Sequence, residues 1–303
     1  MDIPALKRQL KLPDVAAEQI TVSARRLNLA KAAAIYKEFG CLVVRGLMSA
    51  YLPALARDIE TVAQEAIAQL PQARQVTEGW VTPNGTLFLP APKHYARDKQ
   101  IMVLGINYHR SGAFFQTALD TKTLDLVEAI LGPNLELFGN GQSLYKEPVG
   151  GHPKKLHQDA AYFEHRYEGP LAILNYVVPT DLKNGALHVI PGSHRLGVVK
   201  HVDTFSHLGL SEEQWPWEIA TPIIGGPGDS IFFHVNTIHG SKENYSDRPR
   251  PVFINRYRRV DDYVVIGATT TANRAVAEQR EKEQKKPANQ LGLVVRGFRP
   301  FVA

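Results

Sequence analysis

The densest chemical signal in the sequence is Leu156-His157-Gln158-Asp159. In an extended strand, side chains at i and i+2 share a face, so an imidazole and a carboxylate converge on one point. Burying that pair alone is costly, and a divalent metal removes the cost. Two ligands do not complete a site, so a third is expected. His239 is the best candidate, because it follows the β-rich run Gly228–Val235 by a few residues. His234 competes with it. Gly240-Ser241 directly after His239, and Arg250 eleven residues beyond it, favour the later histidine.

Two histidines and a carboxylate on one face match the facial ligand set of non-haem Fe(II) oxygenases, which leaves positions open for a cosubstrate and O2. Arg250 stands between Pro249 and Pro251. A guanidinium near such an iron can hold a carboxylate through two parallel hydrogen bonds, as the distal carboxylate of 2-oxoglutarate requires. A His-x-Asp pair by itself is as often a structural hydrogen bond. It is the third histidine and the arginine in register that favour the metal. His152, His188 and His194 read as loop, strand-face and turn residues.

These groups must be positioned by rigid elements. Leu29 to Phe39 has helical apolar spacing, with Gly40 as its stop. Cys41–Leu47 reads as a strand. Ser49 is placed to cap a second helix with the stripe Leu52, Leu55, Ile59, Val62 and Ala66. Residues 72–115 read as loop and short strand, and Asp120–Leu131 as a helix. From Leu135 short β-rich runs recur: Leu135–Tyr145, Leu171–Val178, Gly185–Ile190, Ser230–Val235 and Pro251–Val260. Turn dipeptides separate them and long crossover helices are missing. That predicts a mainly β chain, an antiparallel sandwich or jelly roll with flanking helices. The stretch 200–220, with Trp215 and Trp217, reads as a lid or a packed corner. Residues 273–286 read as a charged helix.

Composition narrows the class. The 303 residues include one cysteine, Cys41, which excludes a disulfide scaffold and a cysteine-based zinc module. No run is long enough for a membrane helix, and Met1–Arg8 lacks the apolar stretch of a secretory signal, so a cytoplasmic setting is expected. The net charge is +5, and residues 271–303 hold seven basic against three acidic residues, four of those five charges. The basic excess is mainly C-terminal, and no nucleic-acid-binding motif accompanies it.

The sequence resembles the phytanoyl-CoA dioxygenase family of Fe(II)/2-oxoglutarate-dependent oxygenases. Four pieces carry the resemblance: Leu144–Pro148 leading into His157–Phe163; Asn184–Leu187 followed by Ile190–His194; Gly228–Phe233; and His239–Ser241 with Asn244 and Arg250. They span roughly residues 140–257. The resemblance implies one domain over 1–303, with a double-stranded β-helix (jelly-roll, cupin-like) core at about 135–260, a helical region with an insert at 1–134, and the charged segment 271–303. It implies His157, Asp159 and His239 as iron ligands and Arg250 as the partner of the 2-oxoglutarate far carboxylate. Ser241 matches a position near the same carboxylate. Asn175 falls where some members have an aromatic residue and is expected to hydrogen-bond the cosubstrate instead, and Gln142 and Tyr145 are expected to line the cosubstrate pocket.

The implied reaction is decarboxylation of 2-oxoglutarate to succinate and CO2, with O2 consumed and a substrate C–H bond hydroxylated. Related halogenases replace the metal carboxylate with a small residue; Asp159 is intact, which favours hydroxylation. Desaturation or cyclisation stays open, as does a jelly-roll binding protein without catalysis. Tyr162, Phe163, Trp80, His94, Asn107 and Tyr108 are candidate substrate contacts, each with ordinary packing as the competing reading. Lys93, His94, Arg97, His109 and Arg110 in the insert predict a small polar or anionic substrate.

Overall fold

A computed structural model of the chain describes residues 2–77, 79–93, 95–204, 208–267 and 291–300. His94 and the predicted helix 273–286 lie outside the described residues. Among the described residues, two antiparallel sheets carry the site. We label their strands β1 (Cys41–Arg45), β2 (Gln142–Lys146), β3 (Lys154–His157), β4 (Leu171–Tyr176), β5 (Leu187–Val189), β6 (Thr221–Ile223), β7 (Ser230–Phe233), β8 (His239–Ser241) and β9 (Arg250–Arg259). The larger sheet runs β1-β7-β4-β9-β2, and the smaller runs β6-β5-β8-β3. This is the jelly-roll arrangement expected from the β-rich runs.

Alternation along each strand explains the layers. Val43, Leu174, Tyr176, Phe233, Val252 and Ile254 face the smaller sheet and pack with its Leu187, Val189 and Ile223. Leu42, Val44, Ile173, Phe232, Phe253 and Tyr257 face the other way, under the helices. Cys41 is buried in the inter-sheet core, and that burial pushes its thiol up to about 12. It is a packing residue.

Five α-helices are described: α1 (Ile3–Gln9), α2 (Leu29–Phe39), α3 (Leu52–Ala68), α4 (Gly112–Ala118) and α5 (Thr121–Leu131). The Asn28 side chain caps α2, and Gly40 ends it in the left-handed region at φ +67°. A side chain there would collide with His194, since a Cβ would lie 2.3 Å from its Nδ1. Asp120 caps α5 through Thr123 N. Ser49 does not cap α3. It opens a 3-10 turn, Ser49–Tyr51, and α3 begins at Leu52 with Pro53 in its first turn, where no N–H is needed. The irregular region predicted for 72–115 contains four strands that extend the larger sheet beyond β2, from Lys99–Leu104 out to Arg74–Val76. No helix among the described residues is long and apolar enough to cross a membrane.

Within the 200–220 stretch, residues 208–220 form a packed corner, and residues 205–207 lie outside the described residues. Leu210, Trp215, Ile219 and Ala220 are buried with Leu12, Leu156, Ile190 and Ile238. Leu210 N donates to Leu156 O at 2.7 Å, which ties this corner to the strand that ends in His157.

Candidate metal and cosubstrate site

β3 and β8 are antiparallel neighbours, and their register places His157 directly opposite His239. The ring centroids are 4.3 Å apart. Gly240 permits this approach: a Cβ there would stand 2.7 Å from Lys154 O. The ladder ends at His157, but Gln158 keeps extended angles (φ −115°, ψ 135°) before a 3-10 turn, Asp159–Ala161. The i, i+2 alternation therefore carries one residue past the strand and brings Asp159 to the same face. Its Oδ1 lies 3.8 Å from His157 Nε2 and 3.9 Å from His239 Nε2. One ligand atom from each residue falls within a 4.8 Å cluster, and all three residues are buried.

Each imidazole is oriented by its own strand. His157 Nδ1 is 2.8 Å from Lys155 O, and His239 Nδ1 is 2.9 Å from Thr237 O. A carbonyl can only accept, so Nδ1 carries the proton and Nε2 presents its lone pair toward Asp159. Burial lowers the His239 pKa, opposed in part by the Asp159 charge, which favours the neutral, ligating ring. Two neutral imidazoles and one carboxylate, with no thiolate, fit Fe(II).

Gln158, between the two ligands, points the opposite way. Its Nε2 donates to Gly197 O and Asn236 O, both at 2.7 Å, and its Oε1 accepts from Val199 N at 2.8 Å. Its backbone N donates to His201 Nε2 at 2.9 Å. These bonds clamp the turn that presents Asp159.

The three ligands line a cavity of about 300 Å³ that also reaches Gln142, Ser241 and Arg250. Arg250 is fully buried; its Nη2 donates to Gly185 O at 2.8 Å. Burial holds its guanidinium down to about 10, still cationic at neutral pH. Leu144, Leu174, Leu187, Phe233 and Ile254 supply apolar wall to the same cavity. The structure thus collects His157, Asp159, His239, Arg250, Ser241, Gln142, Tyr162 and Phe163 around one space. His234 is separate: it stacks obliquely on His194, with ring centroids 5.6 Å apart.

Two expected cosubstrate contacts lie elsewhere. Asn175 follows Leu174, which faces the cavity, so its own side chain faces away. There its Nδ2 donates to Ile173 O and Phe253 O, and its Oδ1 accepts from Ser230 Oγ at 2.6 Å. Tyr145 follows Leu144 in the same way and packs in the helix-covered core. Strand alternation decides both cases.

The insert residues divide similarly. Tyr108 lines a neighbouring chamber. Trp80 packs at the edge of the helix-covered core, with Lys99 Nζ 4.6 Å from its ring centroid. Asn107 closes a turn by accepting from His109 N at 2.9 Å. Of the cations that suggested an anionic substrate, Arg97 pairs with Glu147 and Arg110 with Glu65 at 2.5 Å. Neither lines the metal cavity, while His109 lines the neighbouring chamber.

Two charged residues not expected from the sequence also line the cavity, Lys154 and Arg256. Lys154 sits three residues before His157, an odd spacing that alternation alone sends to the other face; a register irregularity between β3 and β8, which pairs it with Ser241, brings it to the cavity. Arg256 was legible in principle. It sits six residues after Arg250 on one strand, so it shares Arg250's face.

The comparisons with known proteins agree with this geometry. The family model for phytanoyl-CoA dioxygenase (PhyH) matches residues 36–252. The chain belongs to the phytanoyl-CoA dioxygenase family. This is a family of Fe(II)- and 2-oxoglutarate-dependent dioxygenases, and residues 36–252 contain the whole ligand set and Arg250. Among relatives, a probable alpha-ketoglutarate-dependent hypophosphite dioxygenase of Stutzerimonas stutzeri is 34% identical over 155 residues, 48% of this chain and 53% of that protein. The peroxisomal phytanoyl-CoA dioxygenase of Mus musculus is 25% identical over 268 residues, 83% of this chain and 74% of that protein. The chain thus spans about half the length of the first of these. Among solved structures, the epimerase SnoN in complex with Fe3+, alpha ketoglutarate and nogalamycin RO superposes with a TM-score of 0.56 at 18% identity, over 88% of this chain and 98% of that one. EctD from S. alaskensis with bound Fe gives 0.55 at 20% identity, over 83% and 80%. At these identities the likeness is one of fold.

Proposed function

We propose that the chain is a single Fe(II)- and 2-oxoglutarate-dependent dioxygenase domain that hydroxylates a C–H bond of a small molecule. One observation carries this reading: His157, Asp159 and His239 converge on one cavity that Arg250 also lines. Iron bound by the triad would supply O2 activation coupled to decarboxylation of 2-oxoglutarate to succinate and CO2. The chain's own groups do the rest. Arg250 grips the far carboxylate of the cosubstrate, with Ser241 beside it. Leu174, Leu187, Phe233 and Ile254 exclude water along the cosubstrate's methylenes. The paired Nδ1 bonds hold both Nε2 atoms toward Asp159, where they would bind the metal.

The complete ligand set weighs against a binding protein without catalysis. Asp159 occupies the position a halide would need, which weighs against halogenation. Desaturation or cyclisation uses the same donor set; a carbocyclase, SnoK, superposes on this chain with a TM-score of 0.55. The single buried thiol fits a cytoplasmic setting.

The reading is tested by succinate formation from 2-oxoglutarate with Fe(II) and O2, with and without a chelator. Succinate should require iron and fall to background in His157→Ala. Unchanged succinate formation in that variant would overturn the reading.

A further inference from the structure

Next to the metal cavity lies a larger chamber of about 630 Å³. Tyr162 and Phe163 line both spaces, so the ring pair that directly follows the metal-binding turn forms their common wall. The two spaces differ in chemistry. The inner one holds Arg250, Arg256 and Lys154 besides the triad. The outer one, among the described residues, has no Lys, Arg, Asp or Glu in its lining.

The outer lining is aromatic and aliphatic: Tyr108, Phe115, Leu137 and Phe138 join the two shared rings. The phenol ends are already committed. Tyr108 Oη donates to Asn255 Oδ1 at 3.0 Å, and Tyr162 Oη accepts from Leu208 N at 2.8 Å. What these residues present to the chamber is therefore ring surface. Phe138 and Phe163 meet edge to face at 5.1 Å, and Tyr108 and Phe115 are tilted at 5.7 Å, so the aromatic wall is ordered by its own contacts. At the rim, Leu291 and Leu293 are 47% and 56% exposed. Large aliphatic side chains left in water beside an aromatic chamber mark a surface that is covered when something binds. His109 and Asn140 are the polar side chains in the lining besides the two phenols.

We infer that this chamber is the site for the body of the organic substrate, and that the substrate is an uncharged, ring-bearing molecule with one or two hydrogen-bonding groups. The inference rests on the dioxygenase reading above and specifies its substrate class. A charged group placed here would meet no Lys, Arg, Asp or Glu among the described lining residues, and a single imidazole, that of His109, is the lining's one partner for an anion. A small oxyanion would leave the aromatic wall unused. The division also separates the two reactants: the charged inner cavity takes the dianionic cosubstrate, and the uncharged outer one presents a C–H bond across the Tyr162/Phe163 wall.

The test uses the protein loaded anaerobically with Fe(II) and 2-oxoglutarate, read by the visible charge-transfer absorption of that complex. Two sets of probes are added: the neutral ring compounds indole, coumarin and α-tetralone, and the anions hypophosphite, phosphite and benzoate. At least one neutral compound should perturb the absorption and, once O2 is admitted, raise succinate formation severalfold. Leu293→Arg, at the exposed rim, should raise the KM for that compound about tenfold and leave the 2-oxoglutarate KM unchanged, while Leu293→Met restores it. Perturbation by the anions alone, by no neutral compound, or equally in Leu293→Arg would overturn the inference. Absence of the charge-transfer absorption before any probe is added would instead strike the dioxygenase reading itself.

Discussion

Arg256 Nη2 stands 3.5 Å from Asp159 Oδ2, while the other oxygen of that carboxylate, Oδ1, faces His157 and His239. The two oxygens are thus given different partners. At 3.5 Å the contact is charge attraction more than a tight hydrogen bond. A second tether holds the guanidinium, since its Nη1 donates to Gln142 Oε1 at 3.1 Å. Orienting a ligand carboxylate in this way leaves one oxygen for the metal. Arg256→Met should therefore weaken Fe(II) binding by about tenfold, the lower end of the loss seen when such supporting groups are removed. Competition with a colorimetric chelator measures it, and unchanged iron affinity would show that Arg256 does not orient Asp159.

Arg250 should behave differently, because it lines the same cavity without contacting a metal ligand among its assigned bonds. Arg250→Met should raise the 2-oxoglutarate KM by about a hundredfold, matching roughly 3 kcal/mol for a charge-assisted pair lost in a buried site. Fe(II) affinity should stay within about twofold. Steady-state kinetics and the same chelator titration separate the two effects, and a loss confined to iron binding would contradict the assignment.

Asn175 provides the complementary case, a buried polar residue that serves the sheet and not the cosubstrate. Asn175→Leu strands Ser230 Oγ and two strand carbonyls, which should lower stability by about 1–3 kcal/mol. The 2-oxoglutarate KM of the folded protein should not move. Urea unfolding and kinetics on one preparation check both halves; a raised KM at unchanged stability would place Asn175 in the cosubstrate site after all.

Two other imidazoles make the fold sensitive to acid. Burial, with Arg258 nearby, brings His165 down to about 4, and burial, with His194 nearby, does the same for His234. Both are neutral in the folded chain, and both would protonate near 6.5 when unfolded. The unfolded state therefore binds more protons between pH 6.5 and 4. Their stabilising contribution is complete above 6.5 and is lost as pH falls toward 4, by roughly 3 kcal/mol apiece at most. Thermal melts from pH 7 to 4 should show the decline. His165→Phe, in a slot already flanked by Phe138 and Phe163, should flatten it; an unaltered slope would contradict the role given to His165.

Much of this was legible in the sequence, for identifiable reasons. His157, Asp159 and His239 carry chemistry that packing alone does not require, so type and spacing were enough to select them. The α2 helix was legible because Gly40 closes it at a left-handed position. What escaped depends on which way a strand faces. Tyr145 and Asn175 were placed one residue out of phase, because phase is fixed by the register of β2 and β4 against β9, a long-range pairing. Arg256 escaped because a basic residue near a strand end resembles any solvated cation until Asp159 is seen beside it. The α4 helix lay hidden in the turn-rich composition of its surroundings.

The central claim is that His157, Asp159 and His239 hold iron in the cavity where Arg250 holds 2-oxoglutarate. Anaerobic addition of Fe(II) and then 2-oxoglutarate tests it most directly, by the visible absorption that forms when both share one site. We expect that absorption to saturate at one Fe(II) per chain, to vanish in Asp159→Ala, and in Arg250→Met to need about a hundredfold more 2-oxoglutarate. An absorption of full intensity in Asp159→Ala, or none in the unaltered protein, would contradict it.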